Sequence, residues 1–312
     1  MDSRRSRRAV LRSSVAAAGL GLTGSLAGCS QLSDLAGDES PDDGTETETE
    51  DTTGSYRQWL PAPAAFDAEH YYFESVDYGG LQANESHFAD SVYRDYAEKE
   101  LFGELDIPVE SVESAMFLGP IARGTSPAVV QGEFTEQDVA SVLTDAGYEE
   151  QSPVGDYTVY VGESALGVTD GRLVFADAPE RDVVDAILGA KTGDGTRYGG
   201  ASEVMATLLA RLGTATFVYG ATSRPTPPDD AEPTNGSLAG NVGFGYQDAV
   251  DGETTTTEIL LLFESADAVD MDAIAAYTGG DLFADYDSVS SEQDGRLVTI
   301  TGTVPTSALY DY

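Results

Sequence analysis

The chain has 312 residues, of which 55 are acidic and only 16 are basic, so its formal net charge is −39. This balance argues against binding to the phosphate backbone of nucleic acids, which needs clustered Lys and Arg. Cys29 is the single cysteine, which excludes an intrachain disulfide, and a hydrophobic content of 41% is enough for a substantial core.

Residues 1–28 have the three parts of an export signal: a basic head, a short apolar run and a small-residue cleavage site. Arg7 and Arg8 stand just ahead of the apolar run, which predicts recognition by the twin-arginine export machinery. Leu26, Ala27 and Gly28 precede Cys29 as in a lipobox, which predicts cleavage after Gly28 and a lipid on the Cys29 sulfur. The apolar run is shorter than the roughly 20 residues that a membrane-spanning helix needs.

Acidity dominates the chain that begins at Cys29, because the signal removes five arginines and only one aspartate. The remainder has 54 acidic and 11 basic residues, a net charge near −43. Such a charge destabilises a compact state unless salt screens it, and at molar salt the Debye length falls to roughly 3 Å. The composition therefore indicates adaptation to brine, as in secreted proteins of halophilic archaea, more than an acidic binding patch.

Residues 29–54 are polar and acidic, with a Thr-Glu alternation over residues 45–50. Nothing there can bury enough apolar area to offset the entropy of ordering, so this segment is predicted to be a disordered tether spanning roughly 25–30 Å. Folded sequence is predicted from residue 55, where Trp59 is expected to pack the start of the domain rather than to stack on a ligand.

The first predicted elements are a strand over residues 70–77 and a helix that Asn84 opens and Gly103 closes, with Phe88, Val92 and Tyr96 on one face. Residues 107–122 are compatible with either helix or strand. A strand at residues 129–134 follows, and then a helix with Thr135 as its N-cap.

One order of elements recurs in the sequence. After the helix that Thr135 caps, a strand at residues 157–161 leads to a hairpin whose turn is Asp170-Gly171. Residues 259–304 repeat strand, helix and two strands, with the strands expected near residues 283–289 and 296–301, and Asp294-Gly295 takes the place of the first Asp-Gly pair. The pattern suggests a duplicated β-α-β-β unit.

Two further helices and a strand at residues 214–220 are predicted between the copies, and residues 225–240 form a Pro-rich loop. The predicted fold class is α+β, with mainly antiparallel sheets and helices on one face. The domains are then an α+β domain at residues 55–224 and a second α+β unit at residues 241–312, packed on the first.

Catalytic motifs are weak in this sequence. His70 and His87 are the only histidines, each at the edge of a predicted element, and Gly162-Glu163-Ser164-Ala165-Leu166 fails as a nucleophile elbow at its last position. Zinc motifs are missing, and the carboxylates around residues 285–294 do not fit an EF-hand. The sequence therefore predicts no catalytic residue, no metal site and no cofactor.

Two sequons, at Asn84 and Asn235, could carry N-linked glycans on an exported protein. Asn235 lies in the predicted loop and is the better acceptor, whereas Asn84 is expected to be a helix N-cap.

The signal, the lipobox, the acidic tether and the segment from Trp59 to Pro63 together resemble haloarchaeal twin-arginine-exported lipoproteins of uncharacterised function. This resemblance covers residues 1–63, and it implies a location: the cell membrane, anchored by lipid, on the extracellular face. The sequence favours a non-catalytic binding or scaffolding module, with no ligand or protein partner indicated. An extracytoplasmic hydrolase and a solute-binding lipoprotein of a transporter are the alternatives.

Overall fold

The computed structural model describes residues 55–97, 100–119, 126–179 and 181–309. Their strands form one antiparallel sheet in the spatial order β11-β12-β10-β9-β8-β1-β2-β3-β7-β6-β5-β4. The strands are β1 Tyr72–Asp77, β2 Val112–Gly119, β3 Ala128–Gly132, β4 Glu149–Val154, β5 Tyr157–Val161, β6 Ala165–Thr169, β7 Arg172–Ala176, β8 Phe217–Thr222, β9 Asn241–Asp251, β10 Thr254–Phe263, β11 Ser288–Asp294 and β12 Leu297–Pro305.

Helices connect these strands, and the α+β class is confirmed. In the same described ranges the helices are α1 Tyr78–Ala83, α2 Asp90–Ala97, α3 Glu100–Glu104, α4 Glu136–Asp145, α5 Arg181–Thr192, α6 Tyr198–Ala201, α7 Glu203–Arg211 and α8 Met271–Thr278. Thr135 caps α4 as expected, because its side chain accepts a hydrogen bond from the Asp138 backbone N–H at 3.2 Å.

Helices cover both faces of the sheet, so the expectation of helices on one face was wrong. Helices α1, α2, α4 and α8 bury residues such as Val139 and Ile274 on one face, here called the first face. Helices α5 and α7 and the N-terminal segment bury residues such as Ile187 and Leu208 on the opposite, second face. The sheet is therefore the middle layer of three over much of its width.

Strand β10 shows why two helical layers are needed. Leu261 and Phe263 join the core on the first face, whereas Leu260 and Leu262 join the core on the second. Successive side chains of a strand point to opposite faces, so an uninterrupted apolar run must be covered twice.

The helix expected from Asn84 to Gly103 is broken into pieces. Helix α1 begins earlier, at Tyr78, and ends with Asn84 as its C-cap. Asn84 is also the N-cap residue of a following 3₁₀ turn, but its side chain makes no capping hydrogen bond there and it opens no long helix. A 3₁₀ turn at Glu85–His87 then leads to α2. The apolar face predicted for this segment is still present in α2, where Val92 and Tyr96 are buried.

Strands β9 and β4 arise where the sequence pattern predicted none. Gly243 and Gly245 interrupt the apolar alternation of β9, and tertiary packing explains them: a Cβ at Gly243 would lie 2.7 Å from a Val204 methyl, and one at Gly245 would lie 3.3 Å from a Leu212 methyl. The glycines let α7 approach the sheet. The strand expected at residues 283–289 is displaced to β11, since Asp281–Phe283 form a 3₁₀ turn.

The sheet continues across the Pro-rich loop, because β8 before the loop pairs with β9 after it. The loop packs against the body: Leu238 is buried, and a Cβ at Gly236 would lie 2.9 Å from the Tyr277 ring of α8. Among the described residues, no helix is both long and apolar enough to span a bilayer.

Candidate functional site

The first described residues are fastened into the second face of the sheet. We call residues 56–66 the N-terminal latch. Trp59 and Leu60 are only 1% and 0% exposed, and the backbone of the latch pairs with residues 196–198 through Ala62 N–H to Thr196 O and Tyr198 N–H to Leu60 O, both at 2.8 Å. Paired backbone and buried side chains together hold the latch against α5 and α6.

Trp59 is the centre of this latch. The Lys191 Nζ of α5 lies 5.3 Å from the centroid of its ring, and the Tyr157 ring meets it edge-on at 6.3 Å. The Lys191 ammonium also donates to the side-chain oxygen of Gln58. A cation over the face of an indole is attracted by the ring quadrupole, so Lys191 adds to the burial of Trp59.

A chain of side-chain hydrogen bonds begins at the surface just after the latch. The His70 Nδ1 lies 2.9 Å from the Thr222 Oγ1, and this hydroxyl oxygen lies 2.5 Å from the Tyr198 Oη. The Tyr198 Oη accepts from the Tyr71 backbone N–H at 3.4 Å, and the Tyr71 Oη donates to Pro61 O of the latch at 2.7 Å. The chain thus connects the half-exposed imidazole of His70 to the buried backbone of the latch.

The environment of His70 favours its neutral form. Burial of the ring lowers the pKa of His70 from its ordinary value, and the Arg224 guanidinium lowers it further, whereas Glu69 acts in the opposite direction. Glu69 and Arg224 form an exposed ion pair beside the imidazole. Burial also raises the pKa of Tyr198 and raises that of Tyr71 well above its ordinary value, so both phenols stay protonated and can donate.

The pairing of His70 with Thr222 has the distance expected of a base and a hydroxyl nucleophile. Thr222, however, is only 3% exposed, and its hydroxyl is also held by Tyr198. His87 lies at the opposite end of β1, beyond α1, and does not contribute. The arrangement is therefore better suited to fixing the latch than to attacking a substrate.

The other sequence candidates have structural partners. Ser164, in the imperfect elbow, is buried, with its Oγ 2.6 Å from the Tyr148 Oη. In the part of the chain that the structure covers, no three His, Cys, Asp or Glu side chains converge as metal ligands.

The sequons differ in environment. Asn235 is exposed, and its Oδ1 accepts from the Ser237 backbone N–H at 3.1 Å. Asn84 is half-buried and joins two elements: its Nδ2 donates to Gly80 O at 2.9 Å, and its Oδ1 accepts from the Gly252 N–H at 3.0 Å. Asn84 therefore already has a structural role.

The predicted lipidation and signal residues lie outside the described residues: Cys29, Arg7, Arg8, Leu26, Ala27 and Gly28.

Two buried carboxylates on the first face had no counterpart in the sequence prediction. Glu74 in β1 is 4% exposed and accepts from the Tyr96 Oη of α2 at 2.8 Å. Asp248 in β9 is 2% exposed and accepts from the Thr257 Oγ1 at 2.5 Å. The sequence did contain a signal for a buried acid at Glu74, which lies within a strongly aromatic strand. If such a strand is central in the sheet, its acid is buried and needs a hydrogen-bonding partner.

Comparison with protein-family models and with curated proteins returns no match to this chain. Among solved structures, crystal form III of TP0453 is similar in fold, with a TM-score of 0.50, 10% sequence identity and coverage of 81% of this chain and 95% of that one. Crystal form I of TP0453 matches with a TM-score of 0.48 at 10% identity, covering 81% of this chain and 94% of that chain. At this identity the likeness to crystal form III concerns the fold alone.

Proposed function

We propose that this chain is a lipid-anchored protein of the outer cell surface in a high-salt environment, and that its globular body binds or scaffolds without catalysis. The N-terminal latch is the observation that carries the proposal. The described residues begin at residue 55, next to the predicted tether, and Trp59 and Leu60 are already inserted into the core. A lipid on Cys29 would therefore be mechanically connected to the whole sheet.

The surface chemistry supports the environment in this proposal. From Cys29 onward the chain has two lysines, Lys99 and Lys191, among its 11 basic residues. Several of the arginines form ion pairs with acids, among them Arg211 with Asp294 at 3.0 Å and Arg296 with Glu203 at 2.6 Å. The remaining carboxylate excess needs concentrated salt to be screened.

Membrane attachment is tested by Cys29→Ser, with Ser30→Ala as the matched control. We expect the Cys29→Ser protein in the medium and the Ser30→Ala protein on membranes, as measured by fractionation and immunoblotting. Retention of the Cys29→Ser protein on membranes would refute the lipid anchor.

The export route is tested by replacing Arg7 and Arg8 together with Lys. Because the twin-arginine machinery recognises the arginine pair itself, a conservative charge replacement should leave the protein inside the cell. The control replaces Arg4 and Arg5 with Lys and should be exported. Normal secretion of the Arg7/Arg8 variant would contradict this route.

An extracytoplasmic hydrolase is the second candidate, favoured by the 2.9 Å contact between His70 and Thr222. Nucleophilic attack would require the enclosed Thr222 hydroxyl to become accessible. Thr222→Ser would keep such an activity and Thr222→Val would abolish it, whereas a purely structural contact would show only as a loss of stability. A solute-binding lipoprotein of a transporter is expected to have two parallel-sheet lobes joined by a hinge. The described residues form a single antiparallel sheet, which gives the solute-binding role no support.

We also propose that the two halves of the sheet derive from a duplicated β-α-β-β unit. In the first half, β3 leads through α4 to β7, which pairs with β3; in the second, β10 leads through α8 to β12, which pairs with β10. The neighbour order β1-β2-β3-β7-β6 matches β8-β9-β10-β12-β11, and β1 pairs antiparallel with β8 between the halves. An experimental structure whose halves did not superpose by a two-fold rotation about the β1–β8 pair would refute duplication.

A further inference from the structure

The two edges of the sheet are protected to very different degrees. At one edge, β4 has a register irregularity between Gln151 and Val154 and includes Pro153, which lacks an N–H to donate. Bulges and prolines are common means of preventing another strand from adding to an edge. At the other edge, β11 contains neither Pro nor Lys, and all seven of its residues pair with β12 in unbroken register.

The open edge is also accessible. Every residue of β11 is exposed, including Val289, which at 36% is one of two large apolar side chains exposed among the described residues. An exposed edge strand presents unpaired backbone N–H and C=O groups to any second strand. Seven residues in regular extended conformation can form roughly six to eight such hydrogen bonds with an antiparallel partner.

The charge pattern of β11 selects the partner. The strand reads Ser288, Val289, Ser290, Ser291, Glu292, Gln293, Asp294, so its acids lie in one half and its serines in the other. When the strand pairs antiparallel with itself over its full length, Ser291 lies opposite Ser291 of the second copy. Glu292 then faces Ser290, Asp294 faces Ser288 and Val289 faces Gln293, so no carboxylate faces another.

The same pairing satisfies the symmetry of a dimer. A two-fold axis perpendicular to the sheet at Ser291 keeps the first face of both copies on the same side, as an isologous interface requires. The charge of Asp294 is further reduced by its ion pair with Arg211. We propose that β11 is a homodimerisation edge, through which two copies of this chain join their sheets in molar salt.

Disulfide crosslinking tests the register directly. Directly opposite residues in an antiparallel pair have Cα atoms about 4.5–5.5 Å apart, within the range that a disulfide can bridge. Val289 and its own equivalent would be displaced by four residues, roughly 13 Å, which is too far. Under mild oxidation in molar KCl, the full chain with Ser291→Cys should form a covalent dimer, and the full chain with Val289→Cys should not.

Mixed samples sharpen this test. Val289→Cys and Gln293→Cys chains should crosslink with each other and not with themselves, and the wild-type chain measures the background from Cys29. No dimer above that background with Ser291→Cys, or equal crosslinking by Val289→Cys alone, would overturn the proposal.

A second measurement uses charge without changing the fold. Ser290→Lys would place a cation opposite Glu292 of the second copy, and Ser290→Glu would place a like charge there. Sedimentation equilibrium of the detergent-solubilised full chain at about 1 M KCl should give dimer dissociation constants about threefold or more apart, with the Lys variant tighter. Equal constants, or tighter association of the Glu variant, would contradict the register.

Discussion

Replacement of Trp59 tests whether the latch is part of the core. The side chain is 1% exposed, so Trp59→Ala removes a fully buried indole and leaves a cavity between α5 and the sheet. Such substitutions cost about 3–5 kcal/mol of unfolding free energy. Loss of the Lys191 contact at 5.3 Å adds to this by about 0.5–1 kcal/mol.

Trp59→Phe provides a sharper comparison. Within the described residues the indole Nε1 is buried with no hydrogen-bond acceptor, and burial of an unsatisfied donor costs about 1–3 kcal/mol. Phe loses part of the apolar contact but also removes this donor. We therefore expect Trp59→Phe to change the unfolding free energy by less than about 1.5 kcal/mol.

Urea denaturation of the full chain in molar KCl, followed by far-UV circular dichroism, measures both variants. Circular dichroism is preferable because Trp59 is the single tryptophan and its replacement removes the fluorescence probe. Met271→Ala, at a 36% exposed position, is the control and should cost less than about 0.5 kcal/mol. If Trp59→Ala lowers the unfolding free energy by less than about 1 kcal/mol, the latch does not contribute to the stability of the core as proposed.

The two Asp-Gly turns offer a matched pair, because Gly171 has φ +68° and Gly295 has φ +59°, but only at Gly171 would a Cβ meet a backbone oxygen, Gly132 O at 2.8 Å. Gly295→Ala should cost about 1–2 kcal/mol from backbone strain, and Gly171→Ala should cost clearly more; equal thermal denaturation midpoints would contradict the clash. Thr135→Ala should cost about 1 kcal/mol by removing the cap of α4, measured by the same denaturation, and an unchanged midpoint would mean that the cap contributes nothing. The pKa of His70 is lower in the folded state than in the unfolded state, so the unfolded state takes up the proton first and the unfolding free energy declines as pH falls below about 6.5. His70→Asn should reduce this decline between about pH 7.5 and pH 5.5. The same pH dependence of the unfolding free energy in the variant and the wild type would contradict the pKa shift.

Local sequence signals predicted many elements well. Thr135 caps α4 with its side chain, and Asp170-Gly171 and Asp294-Gly295 form turns with positive φ at glycine. These features depend on contacts between residues a few positions apart, so spacing alone reveals them. The export signal and Cys29 are of the same local kind, and they rest on the sequence alone.

Long-range packing was not available from spacing. The contact of His70 with Thr222 joins residues 152 positions apart, and Lys191 reaches Gln58 across 133. Helix α7 is accommodated by Gly243 and Gly245 of β9, a strand that the sequence pattern did not predict. Such contacts depend on which elements become neighbours, and hydrophobic periodicity does not specify neighbours.

The sequence by itself determined the strongly acidic composition, the exclusion of an intrachain disulfide, the Thr135 cap and the two Asp-Gly turns, because composition and short-range hydrogen bonding control these properties. Only the tertiary structure decided that helices lie on both faces of the sheet, that Glu74 and Asp248 are buried with hydroxyl partners, and that β11 is an open edge. The physical reason is that the order in which the strands pair determines which residues are buried and which strands lie at the edges. This order depends on packing interactions over the whole sheet.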